Sequence, residues 1–274
     1  MHRIWRTTAS IFATLLVISG CNKVVTDPST SLDRWGGLLS ELRVRWSAPE
    51  GIDLLNGPAV PLRAYLESRL LAENTGNLEY AYPGFGRAVH PNEAPESANI
   101  GGRDRIPTLD YPAITPLIGT SRYHIQSVQS SGHTFTISVC NYVYAVAKQQ
   151  ADGSLRTLID FGPIESRGVI GMRVTLTAPQ EESAPALPPQ SGSDPAPSDD
   201  VFGGWRVDGF LAATTSYVAA QWPTFESDRD ACIRDAPDSA QHRTFLVTDA
   251  HDRVDFPTDA PSPGWPAKPS AATN

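Results

Sequence analysis

Cysteine is scarce in this chain, with three in 274 residues, at positions 21, 140 and 232. None stands in a C-x-x-C pair or beside a second group of metal-type ligands, so neither a dithiol redox motif nor a zinc site is expected. There is no run of lysine and arginine, and the formal charge of −8 leaves no electrostatic footprint for nucleic acid. Past the first twenty residues no apolar stretch is long enough to span a bilayer. The chain also lacks a G-x-S-x-G elbow, an H-E-x-x-H helix, a phosphate-binding glycine loop, a dinucleotide fingerprint, an EF-hand loop and internal repeats. No cofactor, metal or catalytic residue set is therefore expected.

What is present begins at the N-terminus. His2, Arg3 and Arg6 precede a short apolar run from Ile11 to Ile18, the order of a secretory signal peptide. The run ends in Ile18-Ser19-Gly20-Cys21, which resembles the lipobox of bacterial lipoproteins. That resemblance implies cleavage before Cys21, a diacylglycerol on its thiol, and a mature protein on the outer face of the cell membrane. The plainer alternative is an ordinary signal peptide that happens to contain a cysteine. Each buried methylene contributes about 0.8 kcal/mol, so two or three acyl chains on one residue suffice for a stable anchor. Loss of residues 1–20 removes two arginines and no acid, taking the charge to −10. An acidic ectodomain gains nothing from an anionic membrane surface, and the lipid on Cys21 must do the anchoring. Export also leaves Cys140 and Cys232 as a single pair in an oxidising compartment, where a disulfide is expected. Closing that 92-position span stabilises a fold by up to about 5 kcal/mol in the chain-entropy picture. Two separate buried thiols are the alternative.

Residues 21–31 read as a polar tether, and 32–256 as one domain. Leu32, Trp35, Leu38, Leu39, Leu42 and Trp46 recur at three and four and predict a first helix. A second is expected over 60–76, with Pro61 in its first turn and Gly76 as its stop. Six prolines make 77–120 an irregular covering segment. Beyond Thr120 come two β-rich runs turning at Ser131-Gly132, with a bulge near Asn141 or cover on both faces. A "DG" turn, a strand with Met172, Val174 and Leu176 on one side, and a strand from Gly204 follow. "HRTFLVTD" reads as a last strand. Residues 179–204 and 257–274, rich in proline, serine and acid, read as a disordered insertion and tail.

This order gives an α+β fold with N-terminal helices packed on a curved, cone-like antiparallel sheet. Cys140 closing "HTFTISVC", then "GGWRVDGF" and then Cys232 are similar to mycobacterial-type secreted lipoproteins with a nuclear-transport-factor-2-like domain. The resemblance implies a sheet pocket used by enzymes and by non-catalytic binding domains alike. Candidate pocket groups are His124, His133 and Asp208 as a base pair, and Tyr142, Tyr144, Trp205 and Phe210 as lining. Core packing explains the aromatics equally well, and a turn explains His133. Asp249, His251 and Asp252 are close enough to suggest metal ligands, although a solvated acidic turn is the plainer reading. The expected role is a non-catalytic binding or assembly domain in the envelope, contacting another envelope protein or a lipid. The alternative is a small-molecule or lipid-binding enzyme with a His or Asp base.

Overall fold

The computed structural model describes residues 32–180, 187–212 and 216–267. Alternation, not helical periodicity, decides its first element. Leu42, Val44 and Trp46 are buried between exposed or half-buried Glu41, Arg43, Arg45 and Ser47, and the segment forms strand β1, Glu41–Ser47. The helix expected from Leu32 to Trp46 is therefore replaced by a short 3-10 turn at Gly37–Leu39 and a strand. Gly36-Gly37 breaks the helical spacing, and Gly37 takes the left-handed φ of 61°. The second expected helix forms as α1, Ala59–Thr75, with Gly76 left-handed at its end and its N–H bonded to Ala72 O.

Strands β2 (Leu117–Ser131), β3 (Thr134–Tyr142), β4 (Val146–Gln149), β5 (Leu155–Thr157), β6 (Val169–Thr177) and β7 (Arg206–Ala212) complete a seven-stranded sheet. Its order is β5-β4-β2-β3-β6-β7, all antiparallel, while β1 lies parallel along β2. Register shifts fall at Ile125/Ser127 in β2 and opposite Thr175/Leu176, where Asp208 is the extra residue of β7. Around Asn141 the pairing stays regular and both faces are covered, which resolves that alternative.

One face of the sheet, carrying Ile137, Val139, Val174, Leu176 and Val207, packs on α1 and the short helix α2 (Phe85–Ala88) in one large core. The opposite face carries α3 (Phe225–Arg234) and α4 (Ala240–Leu246). Helix α4 replaces the strand expected in "HRTFLVTD", because the Ser239 hydroxyl accepts the His242 N–H and starts a helical turn. The disulfide Cys140–Cys232 is formed, with both residues fully buried and Cα atoms 5.4 Å apart, and it ties α3 to β3.

The proline-rich segments depart from the expectation of disorder wherever the structure describes them. Val201 and Phe202 from the insertion and Trp265 from the tail are buried in the large core. Low apolar density is offset here by a few large anchors. The tail also covers a sheet edge. Trp46 N–H donates to Ser262 O at 2.6 Å, and the Thr258 hydroxyl donates to Glu41 O, along the free side of β1. Asp194 and Trp265 pair their backbones, and Val89 bridges Val207 on the β7 edge. Such cover removes the unpaired strand edges that template aggregation. The ordered domain thus runs past residue 256 to 267, while 181–186 and 268–274 lie outside the described residues.

Candidate functional site

Two groups of charged side chains sit on opposite faces of the sheet. The first grows from α1, whose turn spacing stacks Arg63 and Glu67 on one side. Glu67 accepts from Trp46 Nε1 at 2.7 Å, Tyr82 Oη at 2.7 Å and Trp265 Nε1 at 2.8 Å. Arg63 donates to the carbonyls of Leu54, Gln190, Pro263 and Gly264, and its guanidinium lies 4.3 Å over the Trp265 ring. Burial raises the Glu67 pKa above the usual carboxylate range, against the pull of Arg63 and the three donors. Both residues are sealed from solvent and nearly every polar atom is used, so this group organises structure and has no room for a substrate.

The second group opens to solvent. Arg173 and Thr175, two apart on β6, share the face opposite α1, and Thr175 pairs with Gly209 of β7. The extra residue in β7 swings the Asp208 carboxylate onto the same side, where the Thr177 hydroxyl donates to its Oδ2. His90 Nε2 stands 3.8 Å from Oδ1, both side chains being partly exposed at 48% and 33%. The Gln221 amide pins the turn at 98–101 over the strands, accepting from Gly101 N–H and donating to Ala98 O, both at 2.9 Å. Asn99, Gly101, Arg173, Thr175, Asp208, Gly209, Leu211 and Gln221 enclose a cleft of about 300 Å³.

The sequence-derived candidates scatter across this framework. His124 lies on β2, separated by β3 and β6 from the β7 that carries Asp208, and its Nδ1 meets the Ser47 hydroxyl at 2.9 Å. Burial lowers its pKa, with Asp235 opposing. His133 is exposed at the hairpin turn. The histidine next to Asp208 is instead His90, a residue of the proline-rich covering segment. Tyr142 and Tyr144 are packed with the disulfide, and burial pushes the Tyr142 hydroxyl up to about 12. Phe210 joins the α1 core. Trp205 borders a recess, an apolar slot of about 280 Å³ with Val60, Leu187 and Val201. A wider groove of about 590 Å³ lies between Phe161, Val169 and Ile233.

Asp249 and Asp252 are exposed as expected of an acidic turn, but the His251 ring is tucked 4.4 Å from Phe245 with Nδ1 3.5 Å from Asp255. No three His, Cys, Asp or Glu side chains gather in metal-binding geometry among the described residues. No helix of the described residues is long and apolar enough to cross a membrane. Cys21 and the whole leader lie outside the described residues. Compared with known proteins, the chain matches no family model, no curated protein and no solved structure.

Proposed function

We propose that the protein is a membrane-anchored extracytoplasmic lipoprotein whose domain binds a ligand or partner in the cell envelope and does no chemistry of its own. Ile18-Ser19-Gly20-Cys21, following a basic and then an apolar stretch, carries the reading. The disulfide supports it, because such a bond persists in an exported protein and not in a reducing cytosol. The domain is kin, on this reading, to the mycobacterial-type lipoproteins with a nuclear-transport-factor-2-like domain. It departs from an open cone in that α1 and the tail fill the sheet's inner face.

The test is the mass of the N-terminal peptide of the protein recovered from an actinobacterial membrane. A peptide starting at Cys21 with a diacylglycerol and an amide-linked acyl chain is expected, with Cys21→Ala releasing the protein from the membrane fraction. An unmodified Cys21 in the mature protein would overturn the anchor.

A further inference from the structure

The cleft over β6 and β7 is lined by two charges of opposite sign, Arg173 and Asp208. Arg63 and Arg69 are committed to main-chain carbonyls, and Asp228 on α3 accepts from Ser138, Trp222 and Thr224. Arg173 has no hydrogen bond or ion pair among the described residues, although it lines the same cleft as the Asp208 carboxylate. Those two charges are too far apart to form an ion pair with each other. Asp208 keeps lone pairs on Oδ1 that only a half-exposed histidine faces at 3.8 Å. Arg105 nearby donates to the main-chain carbonyl of Asp208 and not to its carboxylate. The Thr175 hydroxyl between the two charges is likewise unbonded among the described residues.

We propose that this cleft binds a small zwitterion bearing a carboxylate and an ammonium group, the chemistry of a free amino acid. The carboxylate would lie against the Arg173 guanidinium, a planar donor suited to two parallel hydrogen bonds. The ammonium would donate to Asp208 Oδ1, with the Thr175 hydroxyl serving either end. A lone anion in the cleft would meet the Asp208 charge and a lone cation the Arg173 charge, so only a molecule carrying both signs gains from both walls. The volume, about 300 Å³, stands at the small end of ligand pockets. Gly209 and Gly101 leave the floor open: a Cβ on Gly209 would stand 3.5 Å from the Thr175 hydroxyl and 3.7 Å from Gly101 O. The proposal deepens the binding half of the reading above and rests on it, while owing nothing to the lipid anchor.

Calorimetric titration of the full chain, isolated as its host processes it, with the twenty L-amino acids tests the idea, with acetate, methylammonium and glucose as controls. At least one amino acid should bind at millimolar concentration or below, and acetate and methylammonium far more weakly. Arg173→Gln and Asp208→Asn should each weaken that binding by about tenfold to a hundredfold, the value of one charge-assisted hydrogen bond. Melting should stay unchanged in Arg173→Gln, which removes no bond that the described structure contains. Absence of binding by every amino acid, or binding indifferent to both substitutions, would overturn the site. Binding of glucose in place of amino acids would overturn the zwitterion class. None of these outcomes touches the N-terminal mass that decides the anchor, so the two ideas fail separately.

Discussion

The two faces of the sheet are stabilised by different physics. On the α1 side a single continuous core includes strands, helix, insertion and tail, and its buried Arg63 and Glu67 are each held by several partners. On the α3 side the apolar residues fall into two smaller clusters, one around Cys140, Tyr144 and Phe256 and one around Leu211, Trp222 and Phe225. Polar side chains such as Ser138, Arg173 and Thr175 lie on the strands of that face. A face with less continuous apolar cover needs another source of stability, and the disulfide sits there. It is also the face on which Arg173 and Asp208 line a cleft. Buried charge and solvent-exposed charge have been divided between the two sides of one layer.

The sharpest way to break this contrast is Arg63→Ala. It strips donors from the carbonyls of Leu54, Gln190, Pro263 and Gly264, which join insertion and tail to α1, and leaves Glu67 without its nearest countercharge. A loss of about 3 to 5 kcal/mol is expected in urea denaturation, the usual cost of breaking a buried charge network from one side. A loss below 1 kcal/mol would mean that the Trp265 ring and the backbone bonds to β1 and Asp194 hold the tail without Arg63. Next in size is the joint replacement Cys140→Ala and Cys232→Ala. About 2 to 4 kcal/mol should go, from a face with less core to spare. Equal urea midpoints for the oxidised protein and this double variant would show that the α3 face does not depend on its cross-link.

Which of these features could be read in the sequence follows from the range of the forces involved. Helix α1 was legible because Pro61 and Gly76 punctuate it locally, and β6 because Met172, Val174 and Leu176 alternate. The disulfide followed from having only two cysteines left over. Strand β1 was misread because Leu42 and Trp46 satisfy both periods, and parallel pairing with β2, seventy-odd positions away, decides between them. The order of the proline-rich segments was invisible to composition, since it rests on single anchors, Phe202 and Trp265, meeting partners across the chain. Of the cleft, Asp208 was visible as a carboxylate in a strand, and nothing in the sequence pattern singled out Arg173. His90 carried no signal at all; the fold of the covering segment brings it to Asp208.

The smallest expected effect separates the faces by sign. Glu67 on the sealed face has its pKa raised, mainly by burial, so its protonated form is the one folding prefers. Its contribution is full below the unfolded value and is lost as pH rises through the folded one. His124 on the other face has its pKa lowered from 6.5, again chiefly by burial, so folding prefers the neutral ring. That contribution is present above the unfolded value and is lost as pH falls through the folded value. Acidification from neutrality should therefore weaken the α3 face through His124 while easing the strain on the α1 face through Glu67. In His124→Gln the first effect disappears and the second remains. The melting temperature of the wild type relative to the variant should fall as pH drops below about 6.5, the ordinary histidine value. Partial exposure of the ring and the opposing charge of Asp235 keep the change small. A difference between the two proteins that does not vary with pH would show that His124 titrates alike folded and unfolded. The Ser47 contact would then compensate the ring's burial in full, and the α3 face would have no acid sensitivity at this histidine.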